Sequence, residues 1–133
     1  MPSWSPWRRR CEGKAPIWGV AFDGDGDRAV FVDEGGHPVR GDAIAFLLAQ
    51  EASARRPGAP VVLEVRASRA LARLLEERGG RVVWSYPGHA LVRSAMVDHE
   101  ASFAGETSGH YFFAELGHDD GVYAALRLAG LVG

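Results

Sequence analysis

The sequence has one cysteine, Cys11, among its 133 residues, and it has no large surplus of charge of either sign. One cysteine forms neither an internal disulfide nor a multi-cysteine metal site, which favours a reducing compartment and predicts a cytoplasmic location. The net charge of −2 and a pI near 6.2 give no basic surface for nucleic acid. The basic run Arg8 to Arg10 is too short to change this expectation.

Long apolar runs are also missing. No stretch approaches the roughly 18 apolar residues of a membrane-spanning helix, and residues 1–16 lack the apolar centre of a signal peptide. These absences disfavour a membrane partner and export. The composition that remains, 47% hydrophobic and 24% charged, is that of an ordinary globular protein and predicts one domain with a real core.

Helix-like and strand-like segments alternate after Gly36. The predicted elements are a short strand at 37–40, a helix from Asp42 to Ala54 capped by Asp42, a strand at 61–65, a helix capped by Ser68, a strand at 81–85, a helix at 90–97, strands at 102–104 and 111–113, and a last helix capped by Asp119 or Asp120. This alternation predicts an α/β fold, in which a mainly parallel mixed sheet carries helices on both faces.

The segment Asp-Gly-Asp-Gly-Asp-Arg at residues 23–28 is the clearest chemical signal in the chain. Three crowded carboxylates, Asp23, Asp25 and Asp27, repel one another unless a cation compensates them. All-oxygen ligands suit Mg²⁺, Ca²⁺ or Mn²⁺ better than zinc, and Gly24 and Gly26 allow left-handed turning. The alternative is a solvated acidic turn whose carboxylates point apart, because Asp and Gly are good turn formers.

A calcium-binding EF-hand is a second cation hypothesis. Asp23, Asp25, Asp27 and Glu34 fall at loop positions one, three, five and twelve of that motif. Position six needs glycine for a sharp turn but is Arg28 here, and the flanking segments are β-prone where the EF-hand has helices. An EF-hand is therefore disfavoured.

Three polar clusters follow predicted strands, at Arg66, at 86–89 and at 105–110. Ligands of open α/β sheets bind beyond the carboxyl ends of strands, so these clusters are expected on one edge. In the third cluster Glu106, Ser108 and His110 suit a polyol, since the carboxylate accepts from hydroxyls while the neighbours donate or accept. The alternative is a polar hairpin without a ligand.

Three further side chains have the chemistry to bind phosphate. His89 could donate to phosphate or carry a proton, although a lone histidine near a helix start is often structural. Arg28 and Arg66 could clamp phosphoryl oxygens, because guanidinium matches that geometry and stays charged. Surface arginines are more often simply solvated.

Four ordered motifs, GVAFDGDGDR, PGHALVRSAM, FAGETSGHYFF and DDGVYAALRL, together resemble the α-D-phosphohexomutases, in particular the bacterial phosphomannomutase/phosphoglucomutase group. The resemblance covers residues 19–130. It implies a four-domain isomerase that moves phosphate between O6 and O1 of a hexose through a bisphosphorylated sugar, using a phosphoserine on its first domain and Mg²⁺ on the second.

Residue by residue, the resemblance implies that Asp23, Asp25 and Asp27 are the Mg²⁺ ligands and that Arg28 supports the phosphoryl group. It implies that Glu106 and Ser108 read sugar hydroxyls, and that His89 and His110 are active-site histidines. The resemblance makes residues 17–36 the end of the second domain and 37–133 a sugar-binding third domain. Residues 1–16 have three prolines and no helical or alternating period, which predicts an irregular leader.

The sequence also departs from that family's pattern. It has no segment resembling the phosphoserine loop of the first domain or the phosphate-binding loop of the fourth, which leads us to expect a fragment that is inactive alone. Arg66 stands where many members carry a lysine, and arginine is a poor general base. Tyr86 replaces another common lysine. Two alternatives stay open: a phosphoglucosamine mutase fragment, and a non-catalytic α/β module that binds a divalent cation or a phosphosugar.

Overall fold

The computed structural model describes residues 19–132, so the predicted leader at 1–16 lies outside the described residues. The elements in chain order are β1 (Gly19–Phe22), β2 (Ala29–Val32), α1 (Gly41–Arg55), β3 (Val61–Glu64), α2 (Arg69–Glu77), β4 (Val82–Ser85), α3 (His89–Asp98), β5 (Phe103–Glu106), β6 (His110–Phe113), β7 (His118–Asp119) and α4 (Gly121–Val132). No helix in this part of the chain is both long and apolar enough to cross a bilayer.

The main sheet has five strands in the order β4-β3-β5-β6-β7. Strands β4, β3 and β5 are parallel, whereas β6 and β7 continue the sheet antiparallel. The predicted α/β class and mixed sheet are therefore confirmed. Strands β1 and β2 form a separate antiparallel hairpin, in which Gly19 pairs with Val32 and Phe22 with Ala29.

Successive side chains of a strand point to opposite faces of the sheet, so the contacts of β3 show which helices cover each face. Val61 and Leu63 of β3 point into the larger core, which α1, α2 and α4 cover. Val62, between them, points into a smaller core with Val92 and Met96 of α3. The sheet thus has helices on both faces, as the sequence predicted.

Two predicted details are wrong, namely the cap of α1 and the strand at 37–40. Helix α1 is preceded by Arg40 as the N-cap, and Asp42 lies inside its first turn with its carboxylate accepting a hydrogen bond from Ser68 N at 2.9 Å. Residues 37–40 form no strand, only an isolated bridge between Pro38 and Val32. The cap of α2 is confirmed, because Ser68 Oγ accepts from Leu71 N at 3.3 Å.

The β1-β2 hairpin is attached to the larger unit through the middle of its connecting loop and through the first residue of β2. Ala29 N donates to the carbonyl of Gly109 at 3.0 Å, and Gly121 N donates to the carbonyl of Gly26 at 2.9 Å. The first bond joins β2 to the β5-β6 turn and the second joins the loop to the start of α4. These bonds place the acidic loop beside the carboxyl end of β5. The domain boundary after residue 36 falls in the turn following β2 and stays a prediction.

Candidate active site

The DGDGDR segment is the loop between β1 and β2. Each of Asp23, Asp25 and Asp27 offers a carboxylate oxygen, and these oxygens lie within 4.8 Å of one another. Gly26 has a left-handed φ of +77°, which a residue with a Cβ adopts only with strain, and Gly26 N donates to the carbonyl of Asp23 at 3.1 Å. Gly24, the other glycine of this loop, does not have a left-handed φ.

The three carboxylates have different surroundings. Asp23 accepts hydrogen bonds from the backbone N and the Nε of Arg28, both at 3.1 Å, and the backbone bond in particular lowers the pKa of Asp23. Asp27 has its pKa raised, chiefly by a hydrogen bond with Asp25. The Oδ1 atom of Asp27 is buried and has no hydrogen-bond partner. A buried acceptor without a donor is costly, and a cation would remove that cost.

This donor set fits a hard divalent cation. Three converging carboxylate oxygens are the chemistry that Mg²⁺ takes, usually with water and substrate oxygens completing its coordination. The flanking segments are strands, which confirms the β-prone flanks that disfavoured an EF-hand. Arg28 keeps its guanidinium at the loop through the ion pair with Asp23.

The loop faces the turn between β5 and β6 across a small cleft. This cleft has a volume of about 200 Å³. Its lining residues are Ala21, Phe22, Asp23, Arg28, Val30 and Ser108. The structure therefore brings a predicted metal ligand, a predicted phosphoryl-binding arginine and a predicted sugar-binding serine to one cavity.

Glu106 is held by neighbouring donors at the end of β5. It is 5% exposed, it accepts a hydrogen bond from the Ser108 hydroxyl, and it accepts another from Gly88 N at 3.0 Å. An ionised carboxylate has about four lone-pair sites, so these two bonds leave capacity for sugar hydroxyls. Gly88 belongs to the loop before α3, so Glu106 also joins two of the polar clusters predicted on this edge.

His89 and His110 lie together against a buried aspartate. Their ring centres are 5.4 Å apart. His89 Nε2 is 3.1 Å from Asp119 Oδ1, and His110 Nδ1 is 2.6 Å from Asp119 Oδ2. The Asp119 side chain is 7% exposed, whereas that of His89 is 48% exposed. The two histidines therefore share one carboxylate anchor.

Arg66 reaches this edge through a different buried carboxylate. Glu64 is fully buried at the end of β3 and accepts from Arg66 N at 3.0 Å and Arg66 Nε at 3.1 Å. Its other oxygen accepts from Thr107 N at 3.3 Å and the Thr107 hydroxyl at 2.5 Å. Glu64 thus connects Arg66 to the β5-β6 turn, while half of the arginine side chain stays exposed.

Two carboxylates of this arrangement were missed by sequence reasoning. Glu64 closes an apolar run, which gives no local sign that a carboxylate is buried there with donors 43 residues away. For Asp119 the sequence predicts only a helix cap, with Asp120 as the alternative. The signal available was the pair itself, since one cap needs only one of the two adjacent carboxylates. Asp120 is the cap, because its Oδ1 accepts from Tyr123 N at 2.9 Å.

Comparison with known proteins gives a consistent result. A family model described as phosphoglucomutase/phosphomannomutase, alpha/beta/alpha domain III, matches residues 40–133. The chain is 45% identical over 112 residues to the phosphomannomutase/phosphoglucomutase of Pseudomonas syringae pv. tomato, covering 83% of this chain and 24% of that protein. It is 44% identical over 118 residues to the phosphoglucomutase of Neisseria gonorrhoeae, covering 87% of this chain and 25% of that protein.

Solved structures agree with these relatives. A phosphoglucomutase/phosphomannomutase family protein from Burkholderia thailandensis superimposes with a TM-score of 0.90 at 36% identity, covering 96% of this chain and 28% of that one. The chain spans about a quarter of the length of the curated relatives it matches.

Proposed function

Because the chain belongs to the phosphoglucomutase/phosphomannomutase family, we propose that it forms the metal-binding and sugar-binding part of an isomerase that interconverts hexose 6-phosphate and hexose 1-phosphate, with mannose or glucose as the sugar. The observation that carries this proposal is the convergence of three carboxylates beside a cleft shared with Arg28 and Ser108. In this proposal the phosphoserine that donates the phosphoryl group and the phosphate-binding domain belong to other parts of a longer enzyme.

The acidic loop is proposed to hold Mg²⁺ through Asp23, Asp25 and Asp27. When bound, the ion supplies positive charge that stabilises a transferring phosphoryl group. Arg28 adds a guanidinium on the same cleft, and its Nε donates to Asp23 at 3.1 Å, which keeps the group beside the loop. Positioning and electrostatic stabilisation account for most catalysis of phosphoryl transfer, so a rigid loop matters more here than a reactive side chain.

The β5-β6 turn is proposed to orient the sugar. Glu106 is anchored by Gly88 N and accepts from the Ser108 hydroxyl, so both side chains have fixed directions before a ligand arrives. A pre-organised acceptor loses little entropy when it binds a hydroxyl. Arg66 is proposed to bind anionic oxygens, whose geometry a guanidinium matches, while its Nε donates to Glu64.

The histidine pair is proposed to move the proton of the sugar hydroxyl. When that hydroxyl attacks phosphorus, its O–H bond breaks and the proton goes to an imidazole nitrogen. The new O–P bond forms as the bond between phosphorus and the donor oxygen breaks. In the return direction the imidazolium gives the proton back.

The single cysteine of the chain agrees with a cytoplasmic location, which stays a prediction.

The metal assignment is tested by calorimetric titration of the protein with MgCl₂. We expect one bound ion for the native sequence and none for Asp25→Asn. Asp98→Asn is the matched control, because it removes an exposed carboxylate at the end of α3 and should leave binding unchanged. Equal Mg²⁺ binding by the native protein and Asp25→Asn would refute the assignment of this loop.

The activity is tested in a graft made by replacing the matching 112 residues of the Pseudomonas syringae relative with the corresponding residues of this sequence. Turnover of mannose 1-phosphate, glucose 1-phosphate and glucosamine 1-phosphate would then be compared. We expect the first two sugars to react, and Asp25→Asn in the graft to lower kcat by about 100-fold or more. A folded graft that binds Mg²⁺ and phosphosugar without turnover would instead support a binding module.

A further inference from the structure

Asp119, His89 and His110 form a cluster in which Asp119 is the least exposed side chain. Both of its carboxylate oxygens form hydrogen bonds. Asp119 Oδ2 lies 2.6 Å from Nδ1 of His110, and Asp119 Oδ1 lies 3.1 Å from Nε2 of His89. His110 is itself largely buried, so its ring has little freedom to turn toward other partners. One carboxylate therefore determines the orientation of two imidazoles.

The local backbone does not require this carboxylate. Asp119 is in β7, where its backbone pairs with Phe112, and α4 begins two residues later with Asp120 as its cap. The side chain of Asp119 is thus free of any capping duty. Its burial carries a desolvation cost that the two imidazoles offset.

The distances favour hydrogen bonds over a metal ion shared by the three side chains. Two ligand atoms about 2.0 Å from a transition metal are about 2.8 Å apart even when the angle between them at the metal is 90°. Nδ1 of His110 and Oδ2 of Asp119 are closer than that, at 2.6 Å. This separation suits a charge-assisted N–H···O bond.

An ionised carboxylate accepts hydrogen bonds and donates none. Burial raises the pKa of Asp119, but the hydrogen bonds from His110 and His89 outweigh burial and hold the pKa below its ordinary value. Asp119 is therefore ionised at neutral pH, and each ring nitrogen that faces it must carry a hydrogen.

We propose that Asp119 is a positioning residue that fixes the tautomers of both rings, placing the hydrogen on Nδ1 of His110 and on Nε2 of His89. The lone pairs are then on Nε2 of His110 and Nδ1 of His89, the atoms turned away from Asp119. This inference rests on the proposed function for its catalytic meaning: a sugar hydroxyl gives its proton to one of those lone pairs, and the resulting imidazolium lies against the negative charge of Asp119.

The direct test is the ¹⁵N spectrum of the histidine rings in the 133-residue protein at neutral pH, recorded through long-range proton–nitrogen couplings. We expect a protonated-type shift for Nδ1 of His110 and Nε2 of His89, and an unprotonated-type shift for the other nitrogen of each ring. The opposite tautomer at His110 would overturn the proposal. This measurement needs no mutase activity, so it decides the role of Asp119 even if the proposed function is wrong.

Asp119→Asn removes the fixed acceptor, because an amide can also donate, and we expect the ring of His110 to become a mixture of tautomers. Asp120→Asn is the matched control: it changes the adjacent residue in the same way, keeps a good helix cap, and should leave both rings unchanged. Amide spectra of both variants show whether the fold is retained. Tautomers that are unaltered in a folded Asp119→Asn protein would contradict the proposal.

In the Pseudomonas syringae graft we expect Asp119→Asn to lower kcat by about 10- to 100-fold, with KM little changed, because proton transfer is affected and sugar binding is not. Asp119→Glu, which keeps the charge, should recover part of the loss. A normal kcat in a variant whose tautomers are mixed would show that Asp119 has no part in the reaction.

Discussion

Helix α4 and the acidic loop meet so closely at Gly121 that a single methyl group should disturb both. Gly121 N donates to the carbonyl of Gly26, and a Cβ added at Gly121 would stand 2.7 Å from that oxygen and 2.8 Å from the carbonyl oxygen of Arg28. Ordinary van der Waals contact begins at about 3.4 Å. Both neighbours are backbone atoms, which are unable to rotate away, so Gly121→Ala must displace either the helix or the loop.

The size of the effect follows from two opposing contributions. Overpacking a tight contact costs typically about 1–3 kcal/mol. Replacing glycine with alanine gains about 0.5–1 kcal/mol in the middle of a helix, and this is an upper bound for Gly121, which is the first residue of α4. The cost is the larger of the two, so we expect the free energy of unfolding to fall by about 1–2 kcal/mol. Because the displaced atoms are in the loop that carries Asp25 and Asp27, we also expect Mg²⁺ affinity to fall by about 10-fold, as for other residues that support metal ligands.

The assay is urea unfolding followed by circular dichroism, together with calorimetric Mg²⁺ titration. Gly130→Ala is the matched control, because it makes the same substitution in the same helix at an exposed site with no atom within 4 Å of the new Cβ. We expect that control to stabilise the protein by about 0.5–1 kcal/mol without changing Mg²⁺ binding. If Gly121→Ala were as stable as the control and bound Mg²⁺ normally, the reasoning from this contact would be refuted.

Two further predictions concern the core and the buried carboxylate. Leu75→Ala should lower the free energy of unfolding by about 2–5 kcal/mol, because Leu75 is 1% exposed. Leu126→Ala, at a 68% exposed site, should change it by about 0.5 kcal/mol or less. Equal effects of the two substitutions in urea unfolding would contradict the packing described. Burial raises the pKa of Glu64, but hydrogen bonds from Thr107 and Arg66 outweigh burial and hold this pKa below its ordinary value. The contribution of Glu64 to folding stability is therefore fully present above the unfolded-state pKa of about 4.3, and it is lost as the pH falls through the lower folded-state pKa. Unfolding measured from pH 7 to acid should show this loss, and Glu64→Gln should make the curve flatter; an unchanged curve would exclude this contribution.

Local patterns in the sequence were sufficient for most of the fold. The β-branched run at Val61–Glu64 forms the fully buried strand that it predicted, and Ser68 caps α2 because its hydroxyl reaches a backbone N–H three residues away. The Asp-Gly repeat predicted a turn with clustered carboxylates, and the oxygens do converge. These features depend on neighbours in the chain, so their physical causes are visible in the sequence.

Errors arose where a distant residue competed for a local group. Asp42 has the side chain of a helix cap, but its carboxylate accepts from Ser68 N, 26 residues away, and Arg40 takes the cap position. The strand predicted at 37–40 is likewise absent, because residues 38 and 32 form only an isolated bridge. Such choices depend on which strands lie side by side.

The sequence by itself determined the α/β alternation, the acidic loop, the polar loops after the strands and the family resemblance, because each is carried by residue type and spacing along the chain. Only the tertiary structure decided that Asp119 holds both His89 and His110, that Glu64 holds Arg66, and that Gly121 is packed against the acidic loop. Those contacts join segments that are far apart in sequence. The free energy of a buried charge depends on the donors that surround it in space, which residue order alone does not specify.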